Sequence, residues 1–109
     1  MIQARNIGFT TIGTTEKQLG TYNGRKLFVK QINSKTASNA NTWKTIDTDP
    51  DITESVYVIG RIKANMQTYY IPKNEVSCYY EGGALKVNAT DGWYTNRDIE
   101  VMHFYTKAS

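Results

Sequence analysis

Period-two alternation of apolar and polar residues, broken by turn-forming pairs about every 8–12 residues, constrains this chain more than any other feature. Helical periodicity does not recur along it. The run from Lys26 to Ile32 is rich in strand formers and follows Tyr22-Asn23-Gly24-Arg25. Asn-Gly is the strongest short hairpin signal, because both residues tolerate positive φ, so Lys17 to Tyr22 is expected to pair back onto Lys26 to Ile32. Trp43 to Ile46 is a short candidate strand, and Thr48-Asp49-Pro50-Asp51 is a turn made by proline and side-chain-capping aspartates. From Ser55 to Lys63 the alternation is clearest: Val56, Val58 and Ile62 share one face, and Tyr57, Ile59 and Arg61 the other. Asn65-Met66 closes a hairpin into Thr68 to Ile71, where Pro72 marks a strand end or sheet edge. Val76 to Tyr80, the turn Glu81-Gly82-Gly83, Ala84 to Ala89, a turn at Asp91-Gly92 and a last strand from Ile99 to Thr106 complete the pattern. Ser34 to Thr42 is a polar loop. Many short strands with frequent turns indicate an all-β domain, a small antiparallel β-sandwich of jelly-roll-like form or a small barrel.

The chain has 109 residues, a length that supports one modest core, and 1–109 is expected to be a single domain. Lysines and arginines give a net charge of +3 but are spread out, forming no run that could track phosphates, so nucleic acid is not the expected partner. The lone Cys78 excludes an intramolecular disulfide and offers no CxxC or zinc-type pattern. No apolar run is long enough to span a bilayer, and the N-terminus lacks a basic region followed by an apolar one; membrane insertion and a signal peptide are not expected.

Residues that could carry chemistry are few. His103 is the single histidine and, on a strand, would share a face with Ile99, Val101 and Tyr105, which makes it a core or edge residue before it is a base. Asp47, Asp49, Asp51 and Glu54 gather around a proline but lack the glycine and terminal glutamate spacing of an EF-hand; a solvated turn is expected. Cys78, between Val76 and Tyr80, suits a small buried hydrophobe. Asn88-Ala89-Thr90 matches the glycosylation sequon, a triplet that matters only in a eukaryotic secretory pathway. No catalytic residue, metal ligand or cofactor is assigned, and the chain is expected not to be an enzyme.

The aromatic residues are more informative: eight Tyr, three Phe and two Trp. Tyr69-Tyr70, Tyr79-Tyr80 and Trp93-Tyr94 are adjacent pairs on predicted strands, so each pair sends one ring inward and one outward. Outward rings can form a platform for sugars or for bases. Candidate ligand-binding residues are Trp43, Tyr69, Tyr70, Tyr80, Trp93, Tyr94, Asn96 and Arg97.

Two segments resemble C-terminal β-sandwich domains of bacteriophage tail and fibre proteins. Thr15 to Lys30, with Gly20-Thr21-Tyr22-Asn23-Gly24 at its centre, is similar to an opening that runs Glu-Gln, two apolar residues, Gly-Thr-Trp, a variable residue, Gly-Lys-Pro-aromatic and Arg-Lys. Ile99 to Lys107 looks like the closing strand of the same modules, which typically finishes in Tyr-Thr-Lys. The resemblance implies a virion tail module, usually a homotrimer, that attaches to a bacterial surface, often to a saccharide, and it implies no catalytic residues. Under that resemblance the end segments are scaffold and binding is sought in the loops and outward rings between Ser34 and Arg97. The competing expectations are a trimerisation or capping module without receptor contact, a nucleic-acid-binding β module using the same rings, and last an enzyme whose scattered acids converge.

Overall fold

A computed structural model describes residues 15–108 of the chain; residues 1–14 and 109, which the single-domain expectation includes, lie outside it. The Asn23-Gly24 pair reverses the chain as expected. Both residues take positive φ, 51° and 79°, in the left-handed sense that lets a two-residue turn follow the twist of its strands. The turn joins β1 (Lys17–Tyr22) to β2 (Arg25–Lys35), paired antiparallel from Tyr22 and Arg25 outward. A second turn of the same hand, Asn65 and Met66 at φ 52° and 67°, joins β4 (Ile52–Ala64) to β5 (Gln67–Ile71). A third, Gly82-Gly83, joins β6 (Val76–Glu81) to β7 (Ala84–Ala89). The remaining strands are β3 (Lys44–Thr48) and β8 (Asp98–Lys107).

The strands form two antiparallel sheets, ordered β1-β2-β8-β4-β5 and β3-β7-β6, packed as the expected all-β sandwich. β8 is the centre of the larger sheet, pairing along its whole length with β2 and with β4. Its alternation sorts Ile99, Val101, His103 and Tyr105 to the interior, all at most 1% exposed. The facing sheet contributes Val76, Leu85, Val87 and Ala89, while Ile32, Ile62, Ala64 and Ile71 complete the core. Burying each large aliphatic side chain contributes about 1.5–3 kcal/mol. β4 and β8 run so close at Gly60 that a Cβ there would stand 2.7 Å from the Glu100 carbonyl oxygen, which is why glycine occupies a strand interior.

Three local expectations shift. β2 runs on through Lys35, paired with Asp98, so the polar loop begins at Thr36. The alternation expected along β4 holds for Val58 and Ile62 against Tyr57, Ile59 and Arg61, but the pairing slips between Ser55 and Tyr57. Val56 is the extra residue of that bulge and does not belong to the Val58 face. Trp93 and Tyr94, expected on a strand, lie in a 3₁₀ turn, Gly92–Tyr94, whose first N–H groups are capped by the Asp91 carboxylate accepting from the Trp93 amide at 2.9 Å.

Candidate functional site

Strand alternation divides the three aromatic pairs. Tyr69 packs edge-to-face on Tyr94 with ring centroids 5.5 Å apart, and Tyr80 lies against His103 at 5.5 Å with its hydroxyl donating to the Asp49 carbonyl. Tyr69, Tyr80 and Tyr94 thus line the interior, and the outward members are Tyr70, Tyr79 and Trp93, at 68%, 36% and 43% exposure. They do not share one platform. Tyr70 pairs with Arg61 on the outer face of the five-stranded sheet, Tyr79 is on the outer face of the three-stranded sheet, and Trp93 belongs to the β7–β8 connection.

The outer face of the three-stranded sheet does bring two rings together. Trp43, just before β3, meets Tyr79 of β6 edge-to-face at 4.7 Å and 80°. Edge-to-face packing leaves ring faces uncovered by the partner, and both residues remain exposed. Between them runs β7. Lys44 pairs with Val87 and Ser77 with Asn88, so one further step along the register sets Trp43 opposite Asn88. Asn88 is only 9% exposed, and its Oδ1 has no hydrogen-bond partner among the described residues. A buried amide oxygen without a donor is a costly arrangement, and with almost no accessible surface this one is closed to an incoming group. Lys86, paired with Tyr79 and Thr45, shares the face, and the Tyr79 hydroxyl donates to Glu81 at 3.4 Å. Two exposed rings and flanking polar side chains have the composition of a shallow recognition surface.

A second aromatic group sits at the β7–β8 connection. The Arg97 guanidinium lies 5.2 Å from the Trp93 ring centroid while its Nε donates to the Trp93 carbonyl at 2.9 Å. Thr36 holds this loop. Its hydroxyl, 2% exposed, donates to the Tyr94 carbonyl at 2.5 Å and accepts from the Arg97 amide at 3.0 Å. Asn96, at φ 53°, gives its amide to the Ala37 carbonyl, so its backbone role is a turn.

Between the sheets, at the end away from the 3₁₀ turn, polar side chains converge on His103. Its Nε2 is 2.8 Å from the Ser55 hydroxyl, its Nδ1 is buried without a partner among the described residues, and the residue is fully inaccessible. Burial lowers its pKa from 6.5 to about 4, outweighing the attraction of Asp47 and Asp49 and adding to the repulsion from Lys30. A serine beside a neutral imidazole is the start of a nucleophile–base pair, but no carboxylate bonds Nδ1 and the sheets close over the ring. Asp47 and Asp49, expected in a solvated turn, instead face inward lysines. Lys30 reaches Asp47 at 2.8 Å and Asp49 at 3.7 Å, and Lys107 bridges Glu16 at 2.9 Å and Asp49 at 3.2 Å. Burial opposes ionisation of Glu16 and Asp49, yet hydrogen bonds from Tyr105 and Lys107 to Glu16, and from Lys107 to Asp49, hold both carboxyls below their usual range. Among the described residues no group of His, Cys, Asp and Glu could hold a metal ion, and no helix is long and apolar enough to cross a membrane.

Trp43 therefore lies in the best-formed outward cluster, Trp93 and Arg97 form a second, Tyr70 stands apart, and Tyr69, Tyr80 and Tyr94 serve packing. Tyr79 was not expected at the site. Strand parity carries the signal. Val76 and Cys78 point inward and take Tyr80 with them, leaving Tyr79 outward. No protein-family model, curated protein or solved structure matches the chain.

Proposed function

We propose that the protein is a saccharide-binding β-sandwich module of a bacteriophage tail or fibre that attaches the particle to a bacterial surface. The observation that carries the reading is the exposed Trp43–Tyr79 pair on the outer face of the three-stranded sheet. Ring faces stack on the C–H surface of a pyranose, and the flanking Lys86 and Glu81 side chains can meet its hydroxyls. The tail assignment rests on the resemblance at the two ends of the chain. In its support, the two resembling segments are neighbours in space, since β2 pairs with β8 from Lys26–Lys107 to Lys35–Asp98, as a shared scaffold requires. A glycan array followed by tryptophan-fluorescence quenching tests the proposal. Trp43→Ala and Tyr79→Ala are expected to weaken binding by about tenfold or more with the circular dichroism unchanged. Unchanged affinity in both variants, or no binding to any bacterial envelope saccharide, overturns it.

A second reading, an assembly or capping module, is favoured by one observation. On the outer face of the five-stranded sheet Tyr57, 57% exposed, lies 6.3 Å from Phe104, and Ile59 and Met102 continue that face. Such a face suits contact with further copies of the chain in a trimer. Light scattering distinguishes the readings: Tyr57→Glu dissociates an assembly held by this face and leaves saccharide affinity per chain intact.

A further inference from the structure

The described residues also form an open groove of about 610 Å³ at the end of β2, whose lining includes Ser34, Lys35, Lys44, Lys63, Asp98 and Glu100. It is of a size to receive one or two sugar residues. Its charges are unevenly satisfied. Arg61 holds Glu100 tightly, with Nε and Nη2 each 2.8 Å from the same carboxylate oxygen, and Gln31 donates to the other oxygen at 3.3 Å. Lys63 approaches Glu100 only to 3.8 Å, and Lys35 approaches Asp98 only to 3.8 Å. Both lysines are more than half exposed, and pairs of that kind contribute little. Lys44 differs again. Its Nζ donates to the Lys35 carbonyl at 2.9 Å, which fixes its position without neutralising it, and it has no carboxylate within 4.0 Å among the described residues. Three ammonium groups thus line a groove with two carboxylates, of which Glu100 is already committed to Arg61 and Asp98 is only loosely approached by Lys35. The hydroxyl of Ser34 and the amide of Asn33 add neutral donors beside them.

The groove and the aromatic pair lie on opposite faces of the sandwich and are linked at the start of β3. Lys44 opens β3, an edge strand of the three-stranded sheet, and Trp43 immediately precedes it. Neighbouring residues of an extended chain point to opposite sides, so Lys44 turns toward the five-stranded sheet, on whose outer face Lys35, Lys63 and Glu100 lie, while Trp43 turns to the outer face of the three-stranded sheet.

We infer that this groove is an anion subsite: the ligand class is an acidic surface saccharide, a carboxylate or phosphodiester of which enters among Lys35, Lys44 and Lys63. The inference rests on the saccharide reading above and names its ligand class. The probes are oligogalacturonate, which supplies carboxylates, poly(glycerol phosphate), which supplies phosphodiesters, an uncharged malto-oligosaccharide, and a single-stranded DNA oligonucleotide. Titration calorimetry on the full chain should give tighter binding of one or both acidic polymers than of the neutral one, weakening as salt is raised. The double variant Lys35→Ala/Lys63→Ala changes only exposed side chains and keeps the fold. It should lose about tenfold or more of the acidic affinity and leave neutral binding unchanged. Lys44→Gln should act in the same direction. Whichever acidic polymer responds identifies the anion. Equal affinity for acidic and neutral saccharides, or acidic binding indifferent to the double variant, overturns the subsite while leaving the aromatic site standing. Binding of the oligonucleotide at least as tightly as either acidic saccharide overturns it in favour of a nucleic-acid partner. Failure of every saccharide to bind overturns the underlying reading and the subsite together.

Discussion

His103 should make this fold acid-labile in a pH range where carboxylates have barely begun to titrate. It is the single histidine of the chain, so its titration can be observed without ambiguity. In the folded protein burial holds its pKa at about 4, against 6.5 for the free imidazole. The unfolded chain therefore takes up a proton as the pH falls through 6.5, whereas the folded one resists until about 4. Stability is complete above the unfolded pKa and is lost as pH falls between these values. With about 1.4 kcal/mol for each pKa unit, the full loss approaches about 3 kcal/mol, of which about 2 kcal/mol is reached by pH ~5. Glu16 and Asp49, with lowered pKa, add acid sensitivity in the same direction, but below their unfolded values of 4.5 and 3.8, so measurements confined to pH above ~5 isolate the histidine. Urea unfolding from neutral pH down to that limit is the assay. Wild type should lose about 2 kcal/mol, and His103→Gln, a neutral amide able to reach the Ser55 hydroxyl, should start lower and stay level. Parallel pH profiles in the two proteins, or an imidazole proton resonance that titrates near 6.5 in the folded state, would refute the reasoning.

Thr36→Val removes the hydroxyl that serves both the Tyr94 carbonyl and the Arg97 amide, and is expected to cost about 1–3 kcal/mol in urea unfolding while raising hydrogen exchange at Arg97. Cys78, whose thiol burial pushes up to about 12, should react slowly with a disulfide reagent in the native state and rapidly in urea.

The strand pattern was legible because its determinants are local. The Asn23-Gly24, Asn65-Met66 and Gly82-Gly83 turns need only their own backbone preferences, and the in–out parity of β8 places His103 beside Val101 and Tyr105 from sequence alone. What was not legible depended on residues distant in the chain. The bulge at Val56 arises from how β4 meets β8, and no local propensity announces it. Asp49 is drawn inward by Lys30 of β2 and Lys107 of β8, both distant from it in the chain, and taken singly each would pass as a surface charge. The site followed the same division. Trp43, a candidate from sequence, is an exposed ring, but its contact with Tyr79 became visible only once β3 and β6 were known to flank β7. Lys35, Lys44 and Lys63 likewise gather from three strands, so a search for a run of basic residues passes over them.

The position of β8 carries one more consequence. β2 and β4, which flank it, do not pair with each other, so a chain emerging from the ribosome can form only separate hairpins until the segment Asp98–Lys107 has been synthesised. Assembly of the larger sheet is therefore a late event: the last strand slides between two waiting hairpins and joins them. Any interruption of synthesis before Lys107 releases a polypeptide with two unsatisfied strand edges, the kind of product that chaperones and proteases recognise.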